Sequence, residues 1–127
     1  MNEQVLLNHK FEQHKLLGIE ICREMLQAIR KIGFSETEIG AIPEFERAEF
    51  TLIKDPFTAD ENLTGYWYDK NKQRIGNIQF LSDGSFYAEY DIVKPHPSKK
   101  QWFVEAVSAW GKRGHIKTEA KLLSALQ

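Results

Sequence analysis

From Phe11 onward, apolar residues recur at helical spacing. On a wheel of about 100° per residue, Phe11, His14, Leu17, Gly18, Ile21, Cys22, Met25, Ala28, Ile29 and Ile32 share one broad side, and Glu12, Glu20, Arg23, Glu24, Gln27, Arg30 and Lys31 lie opposite. The pattern predicts a long amphipathic helix that Gly33 stops and Phe34 packs back against. Ser35-Glu36-Thr37-Glu38 has the form of a capping box, which predicts a short second helix ending before Pro43.

Then the period changes to two. Ala48, Phe50 and Leu52 alternate with Arg47, Glu49 and Thr51, as in a half-buried strand. DPFTADEN (55–62) reads as loop, LTGYWYD (63–69) as an aromatic-rich strand, and DKNKQ (69–73) as the turn into RIGNIQFL. A three-residue loop at Ser82-Asp83-Gly84, closed by Gly84 in the left-handed conformation, sets Phe80 against Phe86, Ile78 against Ala88 and Gly76 against Tyr90. A two-residue loop mixes both faces, so the pattern selects the longer one. Asn77, Gln79, Tyr87 and Glu89 fall on the other face.

The C-terminal third reads as helix. Pro95-His96-Pro97 is expected to be an extended connector leading to an N-cap at Ser98. Trp102, Ala106, Ala109 and Trp110 form an apolar stripe at helical spacing, Gly111 closes it, and Thr118 caps a last short helix with Leu122, Leu123 and Leu126. The expected architecture is one α+β domain over residues 1–127. It is a curved antiparallel meander of about four strands, packed on one face by the N-terminal helix and by C-terminal helices.

Composition narrows the function classes. The chain has 127 residues, 42% hydrophobic and 28% charged, with a formal net charge of −1. That is enough for one core, and it lacks the positive surplus of a nucleic-acid binder. No apolar run approaches the roughly 18 residues needed to span a bilayer, and the N-terminus lacks a secretory pattern, so a cytoplasmic protein is expected. Cys22 is the only cysteine. Charge is uneven: Ser35 to Asp69 holds nine acids (Glu36, Glu38, Glu44, Glu46, Glu49, Asp55, Asp60, Glu61, Asp69) against Arg47 and Lys54. Lys94 to Gln127 holds seven bases (Lys94, Lys99, Lys100, Lys112, Arg113, Lys117, Lys121) against Glu105 and Glu119. Such segments either face each other in the fold or mark two interaction surfaces.

Candidate chemistry is sparse. His9 and His14 are five apart and fall on different helix faces, His96 and His115 have no ligand spacing either, and no metal or cofactor is expected. Cys22 lies on the apolar stripe, and no nucleophile elbow or phosphate-binding glycine loop occurs. Glu89 and Asp91 share one strand face, where they read as solvated surface acids, and no catalytic residue is assigned. Aromatic and basic residues remain. Tyr66, Trp67, Tyr68, Tyr87, Lys99 and Lys100 form the candidate surface for another protein or for self-association, in a non-catalytic inhibitor, immunity-like or adaptor role. The alternative is a ligand or enzymatic pocket between sheet and helix, lined by His14, Trp67, Tyr90 and Trp102.

Overall fold

The computed structural model describes residues 2–31, 43–95 and 102–126, with 93–95, 102–105 and 121–126 described by backbone alone. Helix α1 spans Glu3–Lys31. Asn2 caps it, its side-chain oxygen accepting from the Val5 amide at 2.8 Å. Leu17, Gly18, Ile21, Cys22, Met25, Ala28 and Ile29 form its buried stripe, the face that the periodicity predicts. Residues 32–42, with the expected Gly33 stop and short second helix, lie outside the described residues.

The chain resumes at Pro43 with a 3₁₀ turn, Phe45–Arg47, and then runs through β1 (Glu49–Lys54), β2 (Glu61–Tyr68), β3 (Arg74–Phe80), β4 (Ser85–Pro95), β5 (Trp102–Lys112) and β6 (His115–Leu126). These make one antiparallel sheet in the order β1-β2-β3-β4-β5-β6, open at both edges. Every neighbour in space is a neighbour in sequence, so each connection is a hairpin. Asp69 tightens one of them, its Oδ1 accepting from the amides of Asn71 and Gln73 at 2.8 and 2.9 Å.

The β3–β4 register is the one that the three-residue loop demands. Phe80 pairs with Phe86, Ile78 with Ala88 and Gly76 with Tyr90. Gly84 has φ +89, and its amide donates to the Leu81 carbonyl at 3.1 Å. The continuing pairs, Ala88 with Ala109 and Tyr90 with Val107, carry the inner face into β5.

Two expectations are corrected. The sheet has six strands, not about four, and residues 102–126 form a β-hairpin rather than helices. Ser98 and the connector at His96-Pro97 lie outside the described residues, while Thr118 sits within β6 opposite Ala109. The helical reading fails because the stripe mixes two faces. Val107 and Ala109 are wholly buried on the inner face, whereas Ser108 and Trp110 take the outer one. Helix α1 comes nearest the sheet at its margins, β1–β2 and β5–β6, so the sheet curves around it. Small residues on β5 permit that approach.

Between the layers lies an aromatic cluster. The Phe45 ring stands 5.2 Å from Phe11, 4.9 Å from Phe50 and 6.2 Å from Phe80. It rests directly on Gly18, where a Cβ would fall 2.2 Å from a ring carbon. The helix therefore needs glycine at this position despite the cost of roughly 1 kcal/mol in a helix interior.

Candidate interaction surface

Strand parity sorts the candidate residues. On β2, Leu63, Gly65 and Trp67 face α1, and Thr64, Tyr66 and Tyr68 face away. Trp67 therefore leaves the surface set: it is 3% exposed, meets Tyr90 edge to face at 5.7 Å, and donates its indole N–H to the Glu44 carbonyl at 2.8 Å. That bond ties the segment entering β1 to the sheet and satisfies the one polar atom of a buried indole.

The outer face is crossed by two rows, each about 24 Å long at the usual strand spacing. One runs Thr51, Thr64, Gln79, Tyr87, Trp110 and Lys117. The other runs Glu49, Tyr66, Asn77, Glu89, Ser108 and Glu119. Tyr87 and Tyr68 are each 39% exposed, and Tyr66 and Trp110 are half-buried. The Arg74 guanidinium lies 3.7 Å over the Tyr66 ring, a cation–π contact that holds both side chains at low entropic cost. Gln79 donates to Asn77 Oδ1 and the Tyr87 hydroxyl to Glu89 Oε2, both at 3.4 Å.

Of the expected surface residues, the sheet brings together Tyr66, Tyr68 and Tyr87, while Lys99 and Lys100 lie outside the described residues. Trp110 joins them, though the helical reading of its segment hid it. The signal was its alternation with Val107 and Ala109, which places Trp110 opposite Tyr87 once β5 is extended.

Asp91 departs from the picture of a solvated acid. It shares the outer face with Glu89, but it is half-buried, with its Oδ1 shielded from solvent and without a hydrogen-bond partner among the described residues. Burial first, and then the neighbouring Glu89 charge, push its carboxyl up to about 6.

Of the residues of the alternative pocket, His14, Trp67 and Tyr90 are each packed against an aromatic ring. His14 stacks on Phe80 with ring centroids 4.6 Å apart, and Tyr90 is buried against Trp67. Burial, then Lys10 and Arg113, holds the His14 imidazole below its ordinary value. Trp102 is described as backbone within β5. Among the described residues, a groove of about 330 Å³ lies between α1 and residues 43–46 and another of about 440 Å³ between the start of α1 and β1. Burial also pushes the Cys22 thiol up to about 12, so it is no nucleophile at neutral pH. Among the described residues no three His, Cys, Asp or Glu side chains gather as a metal site, and no helix is long and apolar enough to cross a membrane.

Comparisons with protein-family models, curated proteins and solved structures find no match to the chain.

Proposed function

We propose that this chain is a non-catalytic binding protein, acting in the cytoplasm as an inhibitor or adaptor, that engages another protein through the outer face of its sheet. The observation that carries the reading is the band formed by Tyr66, Asn77, Tyr87, Glu89 and Trp110 on four adjacent strands, on the face that α1 leaves uncovered. Tyr, Trp and Arg are the side chains over-represented in protein interfaces, because they offer large contact areas with a polar handle and few rotors. The net charge of −1, close to zero, suits a protein partner better than nucleic acid. The inert thiol and the packed residues around His14 give no comparable support to a catalytic pocket.

The test pairs capture with a face-specific variant. Immobilised wild-type chain and a Tyr87→Ser/Trp110→Ser double variant, matched in circular dichroism and thermal midpoint, are exposed to the same cell lysate. The proposal expects a protein retained by the first and lost by the second. Retention unchanged by the substitutions would move the surface elsewhere. Stabilisation by several degrees from one metabolite would instead favour a ligand pocket.

A further inference from the structure

The uneven charge of the chain has a structural counterpart. The acid-rich segment supplies β1 and β2 at one margin of the sheet, and the base-rich segment supplies β5 and β6 at the other. Among the described residues, neither β1 nor β2 pairs with β5 or β6. Each edge strand, β1 and β6, presents one side of its backbone with no strand beside it among the described residues. Such edges are templates for adding a strand.

We propose that β1 of one molecule pairs with β6 of a second copy, head to tail, extending the sheet from copy to copy. Direction is already correct. In a six-strand meander β1 and β6 run oppositely, so a second copy placed alongside continues the antiparallel alternation. Register follows from side-chain complementarity. Setting Glu49 opposite Lys117 of the second copy joins opposite charges, both exposed and both on the outer face. The same register sets Phe50 opposite Ile116 of the second copy; both are half-buried and packed against their own cores. A shift of two residues in one direction would set Glu49 against Glu119 of the second copy, and a shift in the other would set Arg47 against its Lys117. Only the stated register matches charge with charge and apolar with apolar.

The neighbourhood agrees. In this register Leu52 faces Gly114 of the second copy, so the tip of its β5–β6 hairpin, with Arg113, lies over the groove of about 440 Å³ lined by Asn2, Glu3, Gln4, Leu7, Thr51 and Leu52. A carboxylate at Glu3 and two amides there suit a guanidinium. The β1 strand is six residues long, too short for its pairing alone to bury the roughly 1,200 Å² of a stable interface. Association is therefore weak, in the range of tens to hundreds of micromolar. Because the two faces of the contact differ, it propagates, closing into a ring only if the curvature allows.

Sedimentation velocity of the full chain from about 10 µM to 1 mM, at low and high salt, tests this. The expected result is a mass that rises with concentration and falls with salt. Glu49→Lys and Lys117→Glu should each weaken association about five- to tenfold. The double variant should restore it, since every β1–β6 contact then joins opposite charges, and an equimolar mixture of the two single variants should restore it through alternating contacts between unlike copies, which also join opposite charges. All these substitutions are at exposed positions, and unchanged thermal midpoints would show that the fold survives. A monomer at every concentration, association indifferent to the single reversals, or failure of the double variant and the mixture to restore it would each overturn the proposal.

Discussion

On the inner face of the sheet Trp67 and Tyr90 meet edge to face, both about 3% exposed; on the outer face Tyr87 and Trp110 stand opposite each other at the surface. The residue types are the same and the settings are opposite. Tyr66, Trp67 and Tyr68 show it within three positions, since only the middle one turns toward α1. Aromatic content therefore says little about role in this chain, and strand parity decides it. Inner rings stabilise the fold by burial. Outer rings, left partly in solvent, are expected to contribute less to folding.

The sharpest way to break this contrast is to truncate one ring on each face. Phe80 is 2% exposed, stacked on His14 and set against Phe45. Phe80→Ala should cost about 3–5 kcal/mol, the lost transfer energy plus a cavity that rings on three elements cannot refill. Tyr87→Ala on the facing side should cost less than about 1 kcal/mol. Urea denaturation of both variants measures the difference directly. Similar losses from the two would mean that the outer face is packed as well.

How far the sequence reveals these faces depends on how cleanly each segment alternates. Along β3 and β4, Ile78, Phe80, Phe86, Ala88 and Tyr90 alternate with Asn77, Gln79, Tyr87 and Glu89, and a turn with one glycine fixes the register. Along β5 the apolar residues Ala106 and Trp110 share a face with Ser108, while Val107, Ala109 and Gly111 occupy the other. Neither side is polar enough to show a period of two. Alanine, a strong helix former, then tips a propensity argument the wrong way. The β5–β6 turn gives little help. Its Arg113-Gly114 pair has a left-handed residue only at the glycine, φ +83, which lacks the signature of the common hairpin turns. The facing of the outer aromatics was legible where the register was, at Tyr87, but not within Tyr66-Trp67-Tyr68, where the pattern left all three on the surface, nor at Trp110. The aromatic cluster was only partly visible, because Phe45 reaches Gly18 from a single 3₁₀ turn that carries no periodicity.

The contrast rests on register, and Gly84 is where register can be disturbed at least cost to packing. No heavy atom lies within 4 Å of where its Cβ would sit, so a substitution there tests conformation alone. At φ +89 a β-branched side chain is strained. Gly84→Val should cost about 1–2 kcal/mol, and Gly84→Asn, which tolerates left-handed geometry, distinctly less. Equal costs for the two, read by thermal or urea unfolding, would mean that the turn does not depend on positive φ.

The smallest expected effect concerns the one acid that does not fit the description of a wet outer face. The Asp91 carboxyl holds its proton to about pH 6 in the folded chain, because burial and the Glu89 charge oppose ionisation, whereas the unfolded chain releases it near 3.8. Between those values the native state binds more protons than the unfolded one, so this group's contribution to stability falls as pH rises from about 4 to 6 and is flat above. Taken whole, the shift corresponds to about 3 kcal/mol. Asp91 is half-exposed, and solvent screening reduces that to about 1 kcal/mol. His14 acts in the opposite sense: its lowered value means that stability is lost as pH falls below about 6.5, so the wild-type profile superimposes two slopes of opposite sign. Asp91→Asn removes one of them. The variant should match wild type at pH 4 and exceed it by about 1 kcal/mol at pH 7, with the difference growing between pH 4 and 6. Urea denaturation at half-unit intervals measures this. If the difference were constant across that range, Asp91 would titrate like any solvated acid and the outer face would be wet along its whole length.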